Sequence, residues 1–240
     1  MIRDTIRGGI ILSTHDAIYL NKAEAYEYMI SKQPDLSNVI NEIRPIRNLD
    51  VLDLGAGSGR LSSFIAKEAE SLICTDLSPS MLDILDKKLA DQGSPRIWTT
   101  AVADHRSLPI PDASIDVALS GWSICYLANS DNDNWIDDLE LVMTELHRVL
   151  RRNGTIIILE TMGTGTQTPD PPSFLTPYYS LLTEKYGFNH RWIRTDYVFS
   201  SVEEACLHTE FFFGEALAKK IAANQWAIVP ECAGIWWKQL

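Results

Sequence analysis

One segment constrains the fold of this chain more than any other: Asp50 to Arg60, which reads DVLDLGAGSGR. A short apolar run leads into three alternating glycines, Gly55, Gly57 and Gly59. Glycine tolerates positive φ and lets the backbone approach a ligand closely. We therefore predict a buried strand, a tight ligand-binding turn and a helix that follows it. The local pattern leaves one alternative open, a helix-capping loop that holds no ligand.

Apolar runs and amphipathic segments alternate along the rest of the chain. Near-continuous apolar strands separated by amphipathic helices are typical of a parallel sheet covered on both faces. We predict strands at 50–54, 71–75, 97–103, 115–120, 155–160, 191–199 and 226–238, and helices at 15–30, 61–69, 78–90, 135–150, 174–186 and 201–223. Residues 161–172, rich in Thr, Gly and Pro, are predicted to form a mobile loop.

Composition narrows the classes of function. The chain has 240 residues, of which 21 are Lys or Arg and 32 are Asp or Glu, a net charge of −11. This balance disfavours a nucleic-acid partner, which needs a positive surface. No apolar stretch reaches the roughly 18 residues of a membrane span, and no signal peptide is evident. The 4 cysteines form no Cys-x-x-Cys pair, so we expect a reduced, cytoplasmic protein without a metal site.

Three aspartates follow predicted strands and indicate the ligand class. Asp53, just before the glycines, would repel a pyrophosphate and attract an ammonium group. S-adenosylmethionine carries an ammonium and a sulfonium and no phosphate. Asp76, 21 residues after Gly55, can accept hydrogen bonds from ribose hydroxyls, or it is simply a helix N-cap. Asp104 can accept from an adenine amine, with the next backbone amide donating to the ring, or it lies in a surface turn.

These elements together resemble the cofactor motifs of class I S-adenosylmethionine-dependent methyltransferases, of the small-molecule type that includes the ubiquinone and menaquinone enzymes. The resemblance is good over residues 48–160 and weak elsewhere. It implies an α/β, Rossmann-like, doubly wound and mostly parallel seven-stranded sheet whose last strand, at 226–238, is antiparallel. It also implies a single domain over 1–240, with an N-terminal helical lid at 1–47, a cofactor-binding core at 48–160, and an acceptor loop, helices and C-terminal strands at 161–240.

The resemblance further implies S-adenosylmethionine as cofactor, S-adenosylhomocysteine as product, and no metal. The glycine turn would face the methionine part of the cofactor, and Asp76 would hold the ribose. Asp104 and His105 would contact the edge of the adenine ring. The end of the fourth strand would lie beside the methyl group. The implied cofactor-binding residues are Asp53, Gly55, Ala56, Gly57, Gly59, Asp76, Leu77, Met81, Asp104, His105, Gly121, Trp122 and Tyr19.

The acceptor is less well specified. Methyl transfer is an in-line displacement at an activated carbon, so the protein mainly orients the reactants, and a base is needed only if the acceptor must lose a proton. Our candidates for such a catalytic residue are His190, in an aromatic-rich segment, and Glu160, at the end of the fifth strand. Aromatic residues predict a small, partly apolar acceptor with an O, N or C nucleophile; they are Tyr26, Tyr126, Tyr178, Tyr179 and Trp192. Packing between helices is the alternative role for these residues.

Two other functions stay open. An NAD(P)-binding oxidoreductase of this fold would carry glycine or alanine at the sixth position of the turn, where this chain has Arg60, and a Tyr-x-x-x-Lys pair. A protein that binds S-adenosylmethionine without catalysis would show the same cofactor residues. The sequence does not indicate an oligomeric state.

Overall fold

The computed structural model describes residues 5–7, 10–12, 23–92 and 97–240. At its centre is a seven-stranded sheet in the order β5-β4-β3-β6-β7-β11-β8. The bounds of its strands are β3 Asp50–Leu54, β4 Ser71–Asp76, β5 Trp98–Val102, β6 Ile115–Gly121, β7 Leu150–Thr164, β8 Asn189–Arg194 and β11 Glu231–Gln239. Two short antiparallel pairs join β1 Thr5–Arg7 to β2 Ile10–Leu12 and β9 Tyr197–Val198 to β10 Ile228–Val229.

The helices are α1 Ala23–Ile30, α2 Ser37–Ile43, α3 Ser62–Ile65, α4 Pro79–Asp91, α5 Trp135–Val149, α6 Thr176–Glu184, α7 Val202–Phe213 and α8 Glu215–Asn224. Ser78 caps α4 as its sequence suggests, since its hydroxyl accepts from the Met81 amide. In the described part of the chain, no helix is both long and apolar enough to span a membrane.

The sheet topology confirms the predicted fold class. β5, β4, β3, β6 and β7 are mutually parallel, whereas β11 runs antiparallel to both of its neighbours, β7 and β8. From β3 the chain first adds β4 and β5 on one side of β3, and then crosses to add β6 and β7 on the other side. In open α/β sheets this reversal opens a crevice at the carboxyl ends of the strands, where ligands bind.

Both faces of the sheet are buried. In β7, Ile156 and Ile158 belong to one hydrophobic cluster with α5 and α6. The alternate residues, Ile157 and Leu159, belong to a second cluster with α3 and α4. Because successive strand side chains point to opposite faces, this alternation explains why the strand reads as an uninterrupted apolar run.

A third hydrophobic cluster joins α1 to the C-terminal helices. Met29 and Ile30 pack against residues that include Tyr197 and Ile221. The Lys88 ammonium of α4 also pairs with Glu27 of α1 and donates to the Ser58 carbonyl at 3.3 Å. α1 is therefore held both to the core and to α7 and α8. Of the helix predicted at 15–30, the described part begins at residue 23.

Several predicted boundaries are wrong for identifiable reasons. The helix predicted at 201–223 ends at Gly214, whose φ of +85° interrupts the hydrogen-bonding pattern. The strand predicted at 226–238 is broken by Pro230, which has no amide hydrogen, into β10 and β11. The strand predicted at 191–199 divides into β8 and β9, which belong to different sheets. β7 begins directly after α5 and continues to Thr164, beyond the predicted end at Glu160.

Candidate active site

A cavity of about 530 Å³ opens at the carboxyl ends of β3, β4 and β6, where the topology predicts a crevice. Its volume is in the usual range for small-molecule sites. Many of the residues predicted from the sequence line it, namely Tyr26, Gly55, Ala56, Gly57, Asp76, Leu77, Met81, His105, Gly121, Trp122 and Tyr126. Tyr19 lies outside the described residues.

The three glycines of the turn have different local requirements. A Cβ on Gly55 would lie 1.8 Å from the Ser123 hydroxyl oxygen, so only glycine fits there. A Cβ on Gly57 would meet nothing within 4 Å, because Gly57 faces the open cavity. Gly59 packs toward Leu85 of α4, at 3.3 Å from the position of a Cβ, and does not line the cavity. The predicted ligand contact at Gly59 is therefore replaced by helix packing.

Asp76 holds the turn and borders the cavity. Its two carboxylate oxygens accept from the amides of Gly57, at 2.9 Å, and Ser78, at 2.8 Å. Burial raises the pKa of Asp76 above its usual value. The helix cap proper is Ser78, so the alternative reading of Asp76 as a simple N-cap does not apply. Each oxygen retains lone pairs that a ribose hydroxyl could use.

Asp53 lies behind the turn rather than in the cavity wall. It is 1% exposed, and its carboxylate accepts from the Ser62 hydroxyl at 2.5 Å. Burial raises the pKa of Asp53 to about 7, and the nearby charge of Asp76 contributes to the same shift. The Asp53 carboxylate would therefore attract an ammonium group through the turn, from the side opposite the cavity. This attraction stays a prediction.

Asp104 has a structural role in addition to its predicted contact with adenine, which stays a prediction. Its carboxylate forms an ion pair with Arg106, at 2.6 Å, and is absent from the cavity wall. Arg106 also pairs with Asp138 of α5, so Asp104 serves to fasten this turn to a helix. The guanidinium of Arg106 holds the pKa of Asp104 below its usual value.

His105, in contrast, faces the cavity with its side chain. Its Nε2 and the Ser123 hydroxyl are 2.8 Å apart, and burial lowers the imidazole pKa to about 4. His105 is therefore neutral near pH 7. Its Nδ1 has no hydrogen-bond partner among the described residues. Ser123, which the sequence analysis did not select, connects His105 to the glycine turn.

Apolar side chains form the far wall of the cavity. They are Tyr26, Ile30, Trp122, Tyr126 and Leu127. Trp122 has φ +52°, and its amide donates to the Leu159 carbonyl at 2.7 Å. A bulky residue in the left-handed region is rare and costs energy, and such residues cluster at functional sites. Arg60, which entered the sequence analysis only as a departure from the dinucleotide pattern, lies over the Trp122 ring, 3.1 Å from its centroid.

Two buried carboxyls lie beyond Arg60. Glu160, 0% exposed on β7, accepts from the Cys125 amide at 3.0 Å, and burial raises its pKa to about 8. Glu231, 2% exposed on β11, accepts from the Thr161 hydroxyl at 3.2 Å, and burial raises its pKa to about 7. The charge of Arg60 opposes both shifts. Glu160 lies within β7 rather than at its end, and it does not line the cavity. Glu231 belongs to no sequence motif that would mark it as a functional residue.

Four predicted acceptor-side residues lie outside the described cavity wall. His190 lies on the edge strand β8, three strands away from β6, and stacks on Trp236, its partner on β11. Trp192, on the same strand, is 44% exposed. Tyr178 and Tyr179 are core residues of α6, and the Tyr179 hydroxyl donates to the Thr161 carbonyl. Tyr178 and Tyr179 therefore serve in packing, and an acceptor contact by any of the four stays a prediction.

No group of three or more His, Cys, Asp or Glu side chains within residues 24–92 and 97–240 is arranged to hold a metal ion. The chemistry available in the cavity wall is therefore that of backbone amides, hydroxyls, one carboxylate, one guanidinium and one neutral imidazole.

Comparison with known proteins agrees with this geometry. Residues 52–158 match the model of a family described as a methyltransferase domain. A malonyl-acyl-carrier-protein O-methyltransferase from Hamiltonella defensa is 32% identical over 145 residues, which are 60% of this chain and 50% of that protein. The chain spans about half, or less, of the length of the first curated relatives that it matches.

Solved structures share the fold at low sequence identity. A phosphoethanolamine N-methyltransferase from Haemonchus contortus, in complex with phosphomonomethylethanolamine and S-adenosylhomocysteine, superposes with a TM-score of 0.59 at 16% identity, over 95% of this chain and 60% of that one. The 4+2 cyclase SpnF superposes with a TM-score of 0.55 at 18% identity, over 85% of this chain and 80% of that one. With its domain match covering the cofactor half of this sheet, the chain is similar to class I S-adenosylmethionine-dependent methyltransferases and has their fold.

Proposed function

We propose that the chain binds S-adenosylmethionine in the cavity at the carboxyl ends of β3, β4 and β6 and transfers its methyl group to a small, partly apolar acceptor. The observation that carries this proposal is the open space in front of Gly57. A Cβ there would meet no protein atom within 4 Å, although a Cβ on Gly55 or Gly59 of the same turn would meet close neighbours. The turn therefore leaves room for a ligand against its backbone.

The residues present fit this cofactor. Asp76 offers carboxylate lone pairs beside the turn, where a ribose would be held. Leu77 and Met81 add apolar surface to the same wall, suited to an adenine ring. Asp53 lies below the turn and would attract the ammonium of the methionine part. The same carboxylate would repel a pyrophosphate bound at the turn.

When bound, S-adenosylmethionine supplies a methyl group already activated by its sulfonium. The chain would contribute orientation and exclusion of water through Tyr26, Trp122 and Tyr126, which form the apolar wall. His105 would offer only a hydrogen bond, because its low pKa makes it a weak base. This wall favours an acceptor atom that is already nucleophilic, such as a carboxylate or a neutral amine, because the buried Glu160 does not reach the cavity wall.

Gly57→Ala tests the cofactor site, with Gly187→Ala as its matched control. Both glycines have positive φ, +53° and +70°, and neither new Cβ would meet an atom within 4 Å, so both variants carry the same backbone cost. Only Gly57 lines the cavity. We expect calorimetric titration with S-adenosylmethionine to show at least about 10-fold weaker binding for Gly57→Ala and unchanged binding for Gly187→Ala. Absence of binding to the unaltered chain would overturn the proposal.

Asp53→Asn tests the electrostatic part of the site. The substitution keeps the size of the side chain and its hydrogen bond with Ser62 while it removes the negative charge. We expect affinity for S-adenosylmethionine to fall by about 10-fold, since a charge-assisted attraction is lost. The control is Asp86→Asn, because Asp86 bonds with Trp98 and Thr100 away from the cavity. Equal affinities in the two variants would remove Asp53 from the site.

Methyl transfer itself needs a separate test, because a cyclase also has this fold. Incubation with methyl-labelled cofactor and a panel of acids, amines and phenols should release S-adenosylhomocysteine with at least one acceptor. Acyl-carrier-protein thioesters belong in the panel because of the name of one relative. Binding without turnover across the panel would favour a non-catalytic module, whereas saturable binding of NADH would favour an oxidoreductase.

A further inference from the structure

Arg60 occupies a position that its place after the glycines does not explain. It lines the main cavity and also a smaller one of about 230 Å³ that is bordered by α1, α3 and α4. Its guanidinium lies flat enough over Trp122 to bring the two centres to 3.1 Å. Arginine stacks well on aromatic faces because its cation is planar and weakly hydrated.

The residue under that guanidinium is the one that most needs support. Trp122 has a left-handed backbone, and such a conformation persists only where the surroundings determine it. The hydrogen bond from its amide to Leu159 fixes the backbone to β7. That bond does not fix the indole ring, which forms part of the cavity wall. Part of its support comes from the second hydrophobic cluster, and the Arg60 guanidinium covers one face of the ring.

Two buried carboxyls in turn attract Arg60. Glu160 on β7 and Glu231 on β11 lie on adjacent antiparallel strands, and both interact electrostatically with its guanidinium. Each carboxyl is also anchored, to the Cys125 amide and to the Thr161 hydroxyl. Burying a carboxyl is costly unless a cation or a hydrogen bond compensates it. The strands therefore place two buried carboxyls near Arg60, and their attraction for its guanidinium grows as they ionise above about pH 7 to 8.

We infer that Arg60 is a positioning residue: its guanidinium stacks on Trp122, and this contact keeps the indole ring in place as a wall of the cavity. Arg60 need touch neither the cofactor nor the acceptor to act in this way. Only the expected effect of Arg60 on cofactor binding rests on the proposed function. The arrangement of Arg60, Trp122 and the two carboxyls can be tested without any ligand.

Fluorine NMR of protein labelled with 5-fluorotryptophan tests this arrangement, with Trp122→Phe used to assign the Trp122 resonance. We expect Arg60→Met to move or broaden that resonance and to weaken binding of S-adenosylhomocysteine by about 10-fold. The matched control is Arg191→Met. Arg191 lies 6.0 Å from the Trp237 ring and pairs with Glu42, outside the cavity. This control should perturb Trp237 and leave both Trp122 and binding unchanged.

Two further variants keep the test decisive if Arg60→Met does not fold. At pH 8.5, where Glu231 is ionised, Glu231→Gln should move the Trp122 resonance through Arg60. Arg60→Lys keeps the charge but lacks the planar stack, so it should also move this resonance. An unchanged Trp122 resonance in the folded variants, or a moved resonance with binding within about 2-fold of the original, would overturn the inference. If the unaltered chain does not bind S-adenosylhomocysteine but its Trp122 resonance depends on Arg60, the proposed function fails and the positioning of the ring stands.

Discussion

Replacing Gly55 with alanine is expected to lower the free energy of unfolding by about 3–5 kcal/mol. The new Cβ would lie 1.8 Å from the Ser123 hydroxyl oxygen and 2.4 Å from its Cβ. The φ of +75° adds strain for any residue with a side chain. Gly55 and Ala56 cannot shift easily, since both amides donate to the Thr75 carbonyl at 2.8 Å. Chemical denaturation monitored by circular dichroism measures the loss.

Three comparisons separate the clash from the backbone strain. Gly57→Ala and Gly187→Ala have the same sign of φ without a clash, so each should cost only about 1 kcal/mol. The double variant Gly55→Ala with Ser123→Gly removes the clashing side chain and should recover most of the lost stability. If Gly55→Ala is as stable as Gly57→Ala, the close packing of the turn against Ser123 is wrong.

The glycine turn also shows how far the sequence could predict the site. Strand, turn and helix follow from local pattern, because apolar periodicity and glycine spacing are local properties. The same reasoning located Asp76 beside the cavity, since parallel strands end at the same edge of the sheet. Local pattern could not distinguish Gly57, which faces open space, from Gly59, which packs on Leu85. That distinction depends on α4, a different element.

The acceptor side is harder to predict for the same physical reason. Tyr178 and Tyr179 are close in sequence to other aromatic residues, but the faces of α6 and the sheet decide that they are core. Asp104 follows a strand as a ligand-binding residue would, yet Arg106, two residues later, takes its carboxylate. Glu231 comes near the cavity only because the last strand inserts between β7 and β8. Such long-range pairings are not visible in spacing along the chain.

Glu160→Gln is expected to change how stability depends on pH. Burial raises the pKa of Glu160 from its usual 4.5 to about 8, so between these values the folded state holds a proton that the unfolded state has released. Stability from this group is therefore complete below about pH 4.5 and falls as the pH rises toward 8. The loss has an upper bound of about 5 kcal/mol, because each pKa unit corresponds to about 1.4 kcal/mol.

The variant isolates this contribution from those of other groups. Asp53 and Glu231 also have raised pKa values, of about 7, and add to the fall in stability, whereas the lowered pKa of His105 acts in the opposite sense between about pH 4 and 6.5. Gln cannot ionise, so the stability of Glu160→Gln relative to the unaltered chain should increase by several kcal/mol from pH 5 to pH 8.5. The exposed Glu184→Gln of α6 is the control and should show no such trend. Urea denaturation at a series of pH values measures the stability of both variants. Parallel curves for Glu160→Gln and the unaltered chain would contradict the prediction. They would show that Glu160 is ionised throughout, because the Arg60 cation stabilises its carboxylate more than burial destabilises it.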